Sequence, residues 1–287
     1  MATICLMTLY NPNLDVISNI KSIASQCDRL FLLDNGKKLP QSDFDTRLPA
    51  NVQYIKNSCN LGISMAFNTV LLNKTYNWHP DDFIIFFDQD STIVVNHINK
   101  LIKCYNNIQD KKNNIGCIGP LWVDRSINQN IVNKNSLLQT KKMITSSMLI
   151  KYKTLKSVAF WNEDIFLDLA DWDLCWRLNY YGYKHFLTSN VIMKHQLGNG
   201  VKGTGIFKVK NGSPIREYYQ IRDGIKLFKK NYVPLNFKIR IILMISIRSI
   251  LHLVILEDKK LRLHYILRGI KDGIKKINGE YCTDKNE

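Results

Sequence analysis

Three carboxylates and one histidine carry the residue types that could do chemistry. Asp88 and Asp90 stand two apart, directly after the apolar run at 83–87. In extended chain, residues i and i+2 point the same way, so the two carboxylates can converge on one ligand. Paired carboxylates at a buried strand end suit Mg²⁺ or Mn²⁺, which take oxygen ligands and can hold a diphosphate alongside. A bare D-x-D is more often a polar turn closing a strand. Here other polar strand ends accompany it, at Tyr10, Asn11, Asp34, Asn35 and Asn57, and together they favour a site. A second acidic group, Asp168, Asp171 and Asp173, opens a helical pattern. Acids suit the first turn of a helix, and Asp173 with Arg177 makes an i,i+4 pair. Asp171 lies among Phe166, Trp172 and Trp176, where a carboxylate is partly desolvated as a general base requires. His195 ends the apolar run that starts at Val191. A lone histidine is more often structural than a ligand, so its context alone assigns it no metal.

Short apolar runs at 3–9, 29–33, 52–55 and 83–87 must position these groups, and helical patterns alternate with them. Such alternation implies a parallel sheet covered on both faces, with ligands at the carboxyl ends of the strands. The pattern further predicts strands at 115–123, 143–150 and 184–195, with a polar loop at 125–140. It predicts helices at 168–181, ended by Gly182, and at 215–232. Residues 197–214 carry five glycines and several lysines, and read as a mobile loop over the site.

With 45% hydrophobic and 22% charged residues in 287, the chain can bury a large core, and a collagen-like, disordered or disulfide-stapled protein is excluded. Forty Lys+Arg against 24 Asp+Glu give +16, which predicts an anionic partner: nucleic acid, anionic lipid or a phosphorylated small molecule. No helix-turn-helix, zinc or RNA-recognition signature is visible, so nucleic acid is not expected. Seven scattered cysteines without a C-x-x-C pair read as reduced thiols in a cytoplasmic protein. The first residues lack a basic secretory region, and no run of 18 uncharged apolar residues occurs.

Nine short segments fall in one order: Thr8-Leu9-Tyr10-Asn11-Pro12; Asp34-Asn35-Gly36; Asn60-Leu61-Gly62; Phe87-Asp88-Gln89-Asp90-Ser91; Ile118-Gly119-Pro120; Ile144-Thr145-Ser146; residues 166–177; His195-Gln196-Leu197-Gly198; and 216–222. This order resembles the family 2 glycosyltransferases over residues 3–230. The D-Q-D-S and H-Q-L-G forms look most like the bacterial rhamnosyltransferase branch, which uses dTDP-L-rhamnose to build O-antigen and other surface polysaccharides. The resemblance implies a GT-A fold, an α/β architecture with a Rossmann-like, mostly parallel sheet flanked by helices. It also implies a nucleotide-diphosphate sugar donor and a divalent metal, Mg²⁺ or Mn²⁺. In that pattern Tyr10 and Asn11 sit beside the nucleobase, Asp34 reads the base or ribose, and Asp88 lies near the ribose and metal. Asn60 belongs to the donor site, and Arg222 adds positive charge for the departing diphosphate. Asp90 and His195 ligate the metal, and Asp171 matches the catalytic base. Two departures stand out. Ser147 occupies a position that is commonly glycine, which is expected to alter the acceptor-side wall, and Asp223 replaces a usual asparagine.

The implied activity is inverting transfer of L-rhamnose onto a lipid-linked saccharide. A different nucleotide sugar, such as a UDP-sugar, or a nucleotide- and metal-binding protein without catalysis are the alternatives. The expected division is a catalytic domain at 1–232 and a C-terminal helical segment at 233–287. Within the latter, residues 235–277 hold ten Lys+Arg among apolar runs interrupted by Arg240, Arg248 and His252. Arginines at mid-bilayer disfavour a spanning helix, whereas an interfacial helix keeps them among headgroups. The expectation is a peripheral protein on an anionic membrane, at the inner face of the cytoplasmic membrane. Helices packed on the core or on a homodimer partner are the competing reading.

Overall fold

The computed structural model describes residues 1–36, 48–109, 114–124, 136–195, 201–202, 209–210 and 212–282. The apolar run at the start forms β1 (Thr3–Leu9), and its alternate side chains serve two different layers. Ile4 and Leu6 pack into one core, while Cys5, Met7 and Leu9 pack into the other. A strand buried on both faces has to be apolar throughout, which is why no polar alternation marks it. The same holds for β2 (Arg29–Asp34) and β4 (Phe83–Asp88); β3 (Val52–Lys56) is the half-exposed edge.

The sheet has eight strands in the order β3-β2-β1-β4-β7-β5-β8-β6, completed by β5 (Ile115–Asp124), β6 (Leu137–Thr140), β7 (Met148–Lys151) and β8 (Lys184–His195). The first four are parallel; β7 runs antiparallel between β4 and β5, β8 lies parallel to β5, and β6 closes the edge antiparallel to β8. In chain order the helices are α1 (Val16–Ala24), α2 (Gly62–Leu71), α3 (His97–Gln109), the short α4 (Tyr152–Ser157), α5 (Ala170–Tyr180) and α6 (Pro214–Phe228). Val16, Ile20 and Ile23 of α1 and Ile98, Leu101 and Ile108 of α3 cover one face; α2 and α5 cover the other.

The C-terminal helices are built onto the second layer. They comprise α7 (Leu235–Leu243), a π-turn at Met244–Arg248, α8 (Ser249–Ile255) and α9 (Lys259–Ile274). Phe237, Ile241, Met244 and Ile266 enter the same core as β1 and α5. Tyr218 on α6 donates to Asp272 on α9 (2.9 Å), and Glu217 on α6 accepts from His252 on α8 (3.0 Å) and from Arg262 on α9. Among the described residues no helix is long and apolar enough to cross a membrane.

Candidate active site

The carboxyl ends of β1, β2 and β4 meet at one edge, where the polar residues following each strand gather. Asn11 adopts a left-handed backbone (φ 46°), and Gly36 passes so close that a Cβ there would lie 2.3 Å from the Asn11 nitrogen. Only glycine lets the two strand ends converge. The Tyr10 N–H donates to Gln89 Oε1 (2.8 Å), which ties the end of β1 to the turn after β4. A cleft of about 440 Å³ opens there, lined by Asn11, Pro12, Asp15, Asn19, Gln89 and Asp90. Tyr10 is exposed beside it. The larger cleft, about 630 Å³ between Trp176, Tyr180 and Pro234, has no carboxylate in its lining, whereas Asp15 and Asp90 line the first, which is therefore the candidate site.

Asp34 is fully buried. Its Oδ1 accepts from the Gly36 N–H (2.7 Å), and its Oδ2 accepts from Tyr54 (2.5 Å) and Lys56 (2.7 Å). It braces the floor of the expected donor site with both oxygens committed. Asn35 links this floor to the next element through the Gly62 carbonyl (2.9 Å) and the Asn57 amide (2.9 Å). Asn60 turns its Oδ1 to the Gly62 N–H (3.0 Å) and so starts α2. Gly62 itself has φ 72°, and a Cβ would strike the Phe166 carbonyl at 2.3 Å.

Asp88 ends β4 partly covered, and Asp90 is exposed two residues later. Burial, helped by the neighbouring Asp90 charge and opposed by Arg216, pushes the Asp88 carboxyl up to about 7. Asp171 lies in the first turn of α5, half-buried. Its carboxyl is pushed up to about 8, chiefly by burial; N–H groups of Trp172 and Thr145 oppose this, and the Asp88 and Asp168 charges add to it. Asp171 therefore lies within electrostatic reach of both Asp88 and Asp168. Arg216 answers two of these three acids: it pairs with Asp168 through Nη2 and through Nε at 3.2 Å, and its charge also reaches Asp88, while the Lys142 charge reaches Asp171.

The segment before β7 cross-braces these groups. The Thr145 N–H bonds the Asp171 carboxylate. The Ser146 hydroxyl meets that of Ser91, which accepts from the Asp88 N–H (3.1 Å). Asp173, as expected, is committed to Arg177 (2.8 Å) and Tyr232 (2.6 Å).

Arg222 is not at this site. It is fully buried, with Asp223 (2.7 Å) and the Gly279 carbonyl (2.7 Å) as partners, and it lies over the rings of Tyr218 and Tyr219. The helical face that packs against α9 claims it, and Arg216, one and a half turns earlier, faces the acids instead. Asp223 is equally structural, since it accepts from Arg222, Lys226 (3.3 Å) and the Phe166 N–H (2.9 Å). Ser147 has no part in an outer wall. It is fully buried at φ 65°, and its hydroxyl meets His97 Nε2 at 2.6 Å. Burial holds His97 down to about 4, so the ring is neutral.

The backbone of β8 ends at His195; its side chain lies outside the described residues, as do most of the 197–214 segment and the side chains of Lys202, Lys208 and Lys210. The oxygen donors that are described fit a divalent cation, because the Asp88 carboxylate is drawn toward protonation beside Asp90 and has no hydrogen bond recorded among the described residues. A second group, Cys117, Cys175 and His185, brings ligand atoms within 4.8 Å. It is closed on itself inside the core, with His185 Nε2 on the Cys175 carbonyl (2.9 Å) and Nδ1 on Cys117 Sγ (3.1 Å).

The chain is 30% identical over 295 residues to the dTDP-rhamnosyl transferase RfbF of Shigella flexneri, across 94% of each. The chain belongs to the GT-A glycosyltransferases, in their rhamnosyltransferase branch. No family model matches it. Solved glycosyltransferases share the fold. GalNAc-T7 with UDP, GalNAc and Mn²⁺ superposes with a TM-score of 0.56 at 11% identity, over 96% of this chain and 56% of that one. The 1–349 fragment of S. aureus TarS gives 0.51 at 13%, over 96% and 81%. This glycosyltransferase thus spans little more than half of the GalNAc-T7 chain.

Proposed function

We propose that this glycosyltransferase moves L-rhamnose from dTDP-L-rhamnose onto a lipid-linked saccharide acceptor with inversion, at the inner face of the cytoplasmic membrane. The single observation carrying this reading is the electrostatic coupling of Asp171 to Asp88 and Asp168, with Arg216 answering the latter two, next to the strand end whose Asp90 lines the Asn11 cleft. The rhamnosyl transferase relative supports the choice of sugar.

Asp171 takes the proton of the acceptor hydroxyl as that oxygen attacks the anomeric carbon from the face opposite the nucleotide. A carboxyl held near 8 is a stronger base than an ordinary aspartate, and it can gain the proton without a large change in its own solvation. As the sugar–phosphate bond breaks, negative charge accumulates on the departing diphosphate, and the Arg216 guanidinium stands where Arg222 was expected to neutralise it. Asp90 and His195 would hold a divalent cation in the family pattern, and its charge would add stabilisation on the leaving side. Tyr10 and Asn11 receive the base.

The test is release of dTDP from dTDP-rhamnose, dependent on acceptor and metal, with UDP-sugars run in parallel. Turnover of a UDP-sugar alone would reassign the donor. Binding of nucleotide with no transfer to any saccharide would refute the catalytic assignment.

A further inference from the structure

The C-terminal helices pack one side on the core and leave the other bare. On the bare side Leu235, Ile239, Ile242, Ile247, Ile250 and Val254 follow one another at steps of three to five, with Ile239 51%, Ile250 62% and Val254 65% exposed. The steps of three and four are helical. The step of five falls at the π-turn, where the wider turn takes up an extra residue and keeps Ile250 and Val254 in phase with Ile239. The following helix, α9, exposes Leu263, Leu267 and Ile274 as well. An apolar stripe of this length on a surface helix marks an interaction site. What surrounds it is mainly basic: Arg240, Lys259, Lys260, Lys271, Lys275 and Lys276 are exposed against the exposed acids Glu257 and Asp258, whereas Asp272 is buried on Tyr218 and Arg268. An anionic lipid surface answers both features, since acyl chains accept the isoleucines and headgroups accept the lysines.

The inward side of the same segment leads to the donor site. Arg248, at the end of the π-turn, donates to Gln220 Oε1 on α6 (2.5 Å). Gln220 Nε2 donates to Asp168 (2.9 Å), and Asp168 holds Arg216 by two nitrogens. Arg216 remains half exposed, and no hydrogen bond from its Nη1 is recorded among the described residues. Arg240 on α7 lies 5.3 Å from the ring centre of Trp172, the residue after Asp171. The helices that carry the bare stripe therefore reach the neighbour of Asp171 through Arg240, and Arg216 through Gln220 and Asp168.

We propose that the α7–α8 stripe docks on anionic lipid, and that Arg248, through Gln220 and Asp168, sets Arg216 so that docking tightens the grip on a nucleoside diphosphate. The docking half stands on the exposed surface alone. The coupling half rests on the donor reading given above. Arg248 is a positioning residue here, because it reaches the donor site only through other side chains.

Full-length protein is mixed with phosphatidylglycerol-containing vesicles and with phosphatidylcholine vesicles at low and high salt. Binding is expected to the anionic vesicles only, and to weaken with salt. Ile239→Glu combined with Ile250→Glu changes exposed positions, and should weaken that binding by roughly tenfold or more while the melting temperature holds. Wild-type protein that ignores anionic vesicles at low salt, or a double variant that binds them equally well, overturns the docking surface. A double variant that turns a lipid-free dimer into a monomer would instead make the stripe an interface between two copies. For the coupling, affinities for dTDP and UDP are measured with and without anionic vesicles. Vesicles should tighten the nucleotide severalfold, Arg248→Ala should abolish the gain while vesicle binding persists, and Arg248→Lys should restore part of it. Unchanged nucleotide affinity on vesicles overturns the coupling. If neither nucleotide binds under any condition, the donor reading falls and the coupling with it, and lipid docking is decided by the vesicle measurements.

Discussion

Asp171→Asn keeps the shape of the side chain and removes its basicity. In the wild-type protein burial pushes this carboxyl up to about 8, with Asp88 and Asp168 adding their charge. A positioned general base is worth about 10²–10⁴ in rate, or about 3–5 kcal/mol of barrier. Transfer by the variant should fall by that factor while donor affinity changes by no more than about twofold, because the base touches the acceptor oxygen and not the nucleotide. The pH dependence has a definite sign. The base must be ionised to act, so wild-type kcat/KM should rise with pH and level off above about 8, and the residual rate of the variant should lack that limb. Stability runs the other way. An acid whose folded value is raised stabilises the fold fully below its unfolded value of 3.8, and the contribution is lost as pH rises through about 8. Asparagine does not ionise, so the variant should gain melting temperature relative to wild type between about pH 4 and about pH 8, the window those two values define. Initial-rate assays of dTDP release across that range, with thermal melts in the same buffers, read both effects. Near-normal turnover in the variant, or a melting temperature that drops relative to wild type at alkaline pH, would refute the assignment.

Chelation by EDTA should stop transfer, and Asp90→Ala should weaken nucleoside-diphosphate binding in the presence of Mn²⁺ but not in its absence; full activity in chelator would exclude a metal-assisted leaving group. Arg222→Ala should cost about 3–5 kcal/mol of stability by leaving Asp223 buried beside a missing partner, measured by denaturant unfolding. Arg216→Ala should cost less than about 1 kcal/mol, being a half-exposed pair, yet weaken nucleoside-diphosphate binding about tenfold in calorimetry; the reverse pattern would return Arg222 to the site. Ser147→Ala keeps the left-handed backbone strain and loses the His97 hydrogen bond, whereas Ser147→Gly loses the bond but relieves about 1–2 kcal/mol of strain. The alanine variant should therefore melt lower than the glycine variant, and equal melting would show that the φ at this position is unstrained.

The strands were legible where burial on both faces leaves a continuous apolar run, as at Thr3–Leu9, Arg29–Asp34 and Phe83–Asp88. Their polar ends pointed to the cleft for the same reason, because the side-chain requirement changes abruptly where the sheet stops. The 143–150 run read as one strand, but only Met148–Lys151 forms, since Ser147 turns into the left-handed region one residue earlier. Residues 137–140 read as loop because an exposed edge strand needs no apolar face; it exists only through its pairing with β8, some fifty residues away. The choice between Arg216 and Arg222 was hidden for a comparable reason. Both lie on α6, and which one meets the acids depends on the face that α9 covers, a contact that no local pattern in α6 encodes.

The serine at 147 and the threonine two residues before it explain how a departure from the family pattern leaves the chemistry standing. The backbone must turn back sharply between the Thr145 N–H, which bonds the base, and the Ser147 N–H, which bonds the Phe86 carbonyl (2.6 Å) near the end of β4. A left-handed residue makes that reversal, and glycine makes it without strain. Serine makes it at a cost, which the short bond to a buried, neutral His97 offsets. What is conserved by this exchange is a distance. Thr145 bonds Asp171 on one side, Ser146 reaches the Asp88 N–H through Ser91 on the other, and the turn between them sets how far Asp171, the proposed base, stands from Asp88. The inverting transfer proposed above would set these two groups on opposite sides of one sugar, so the spacing between them would constrain that reaction more tightly than the identity of the residue that makes the turn.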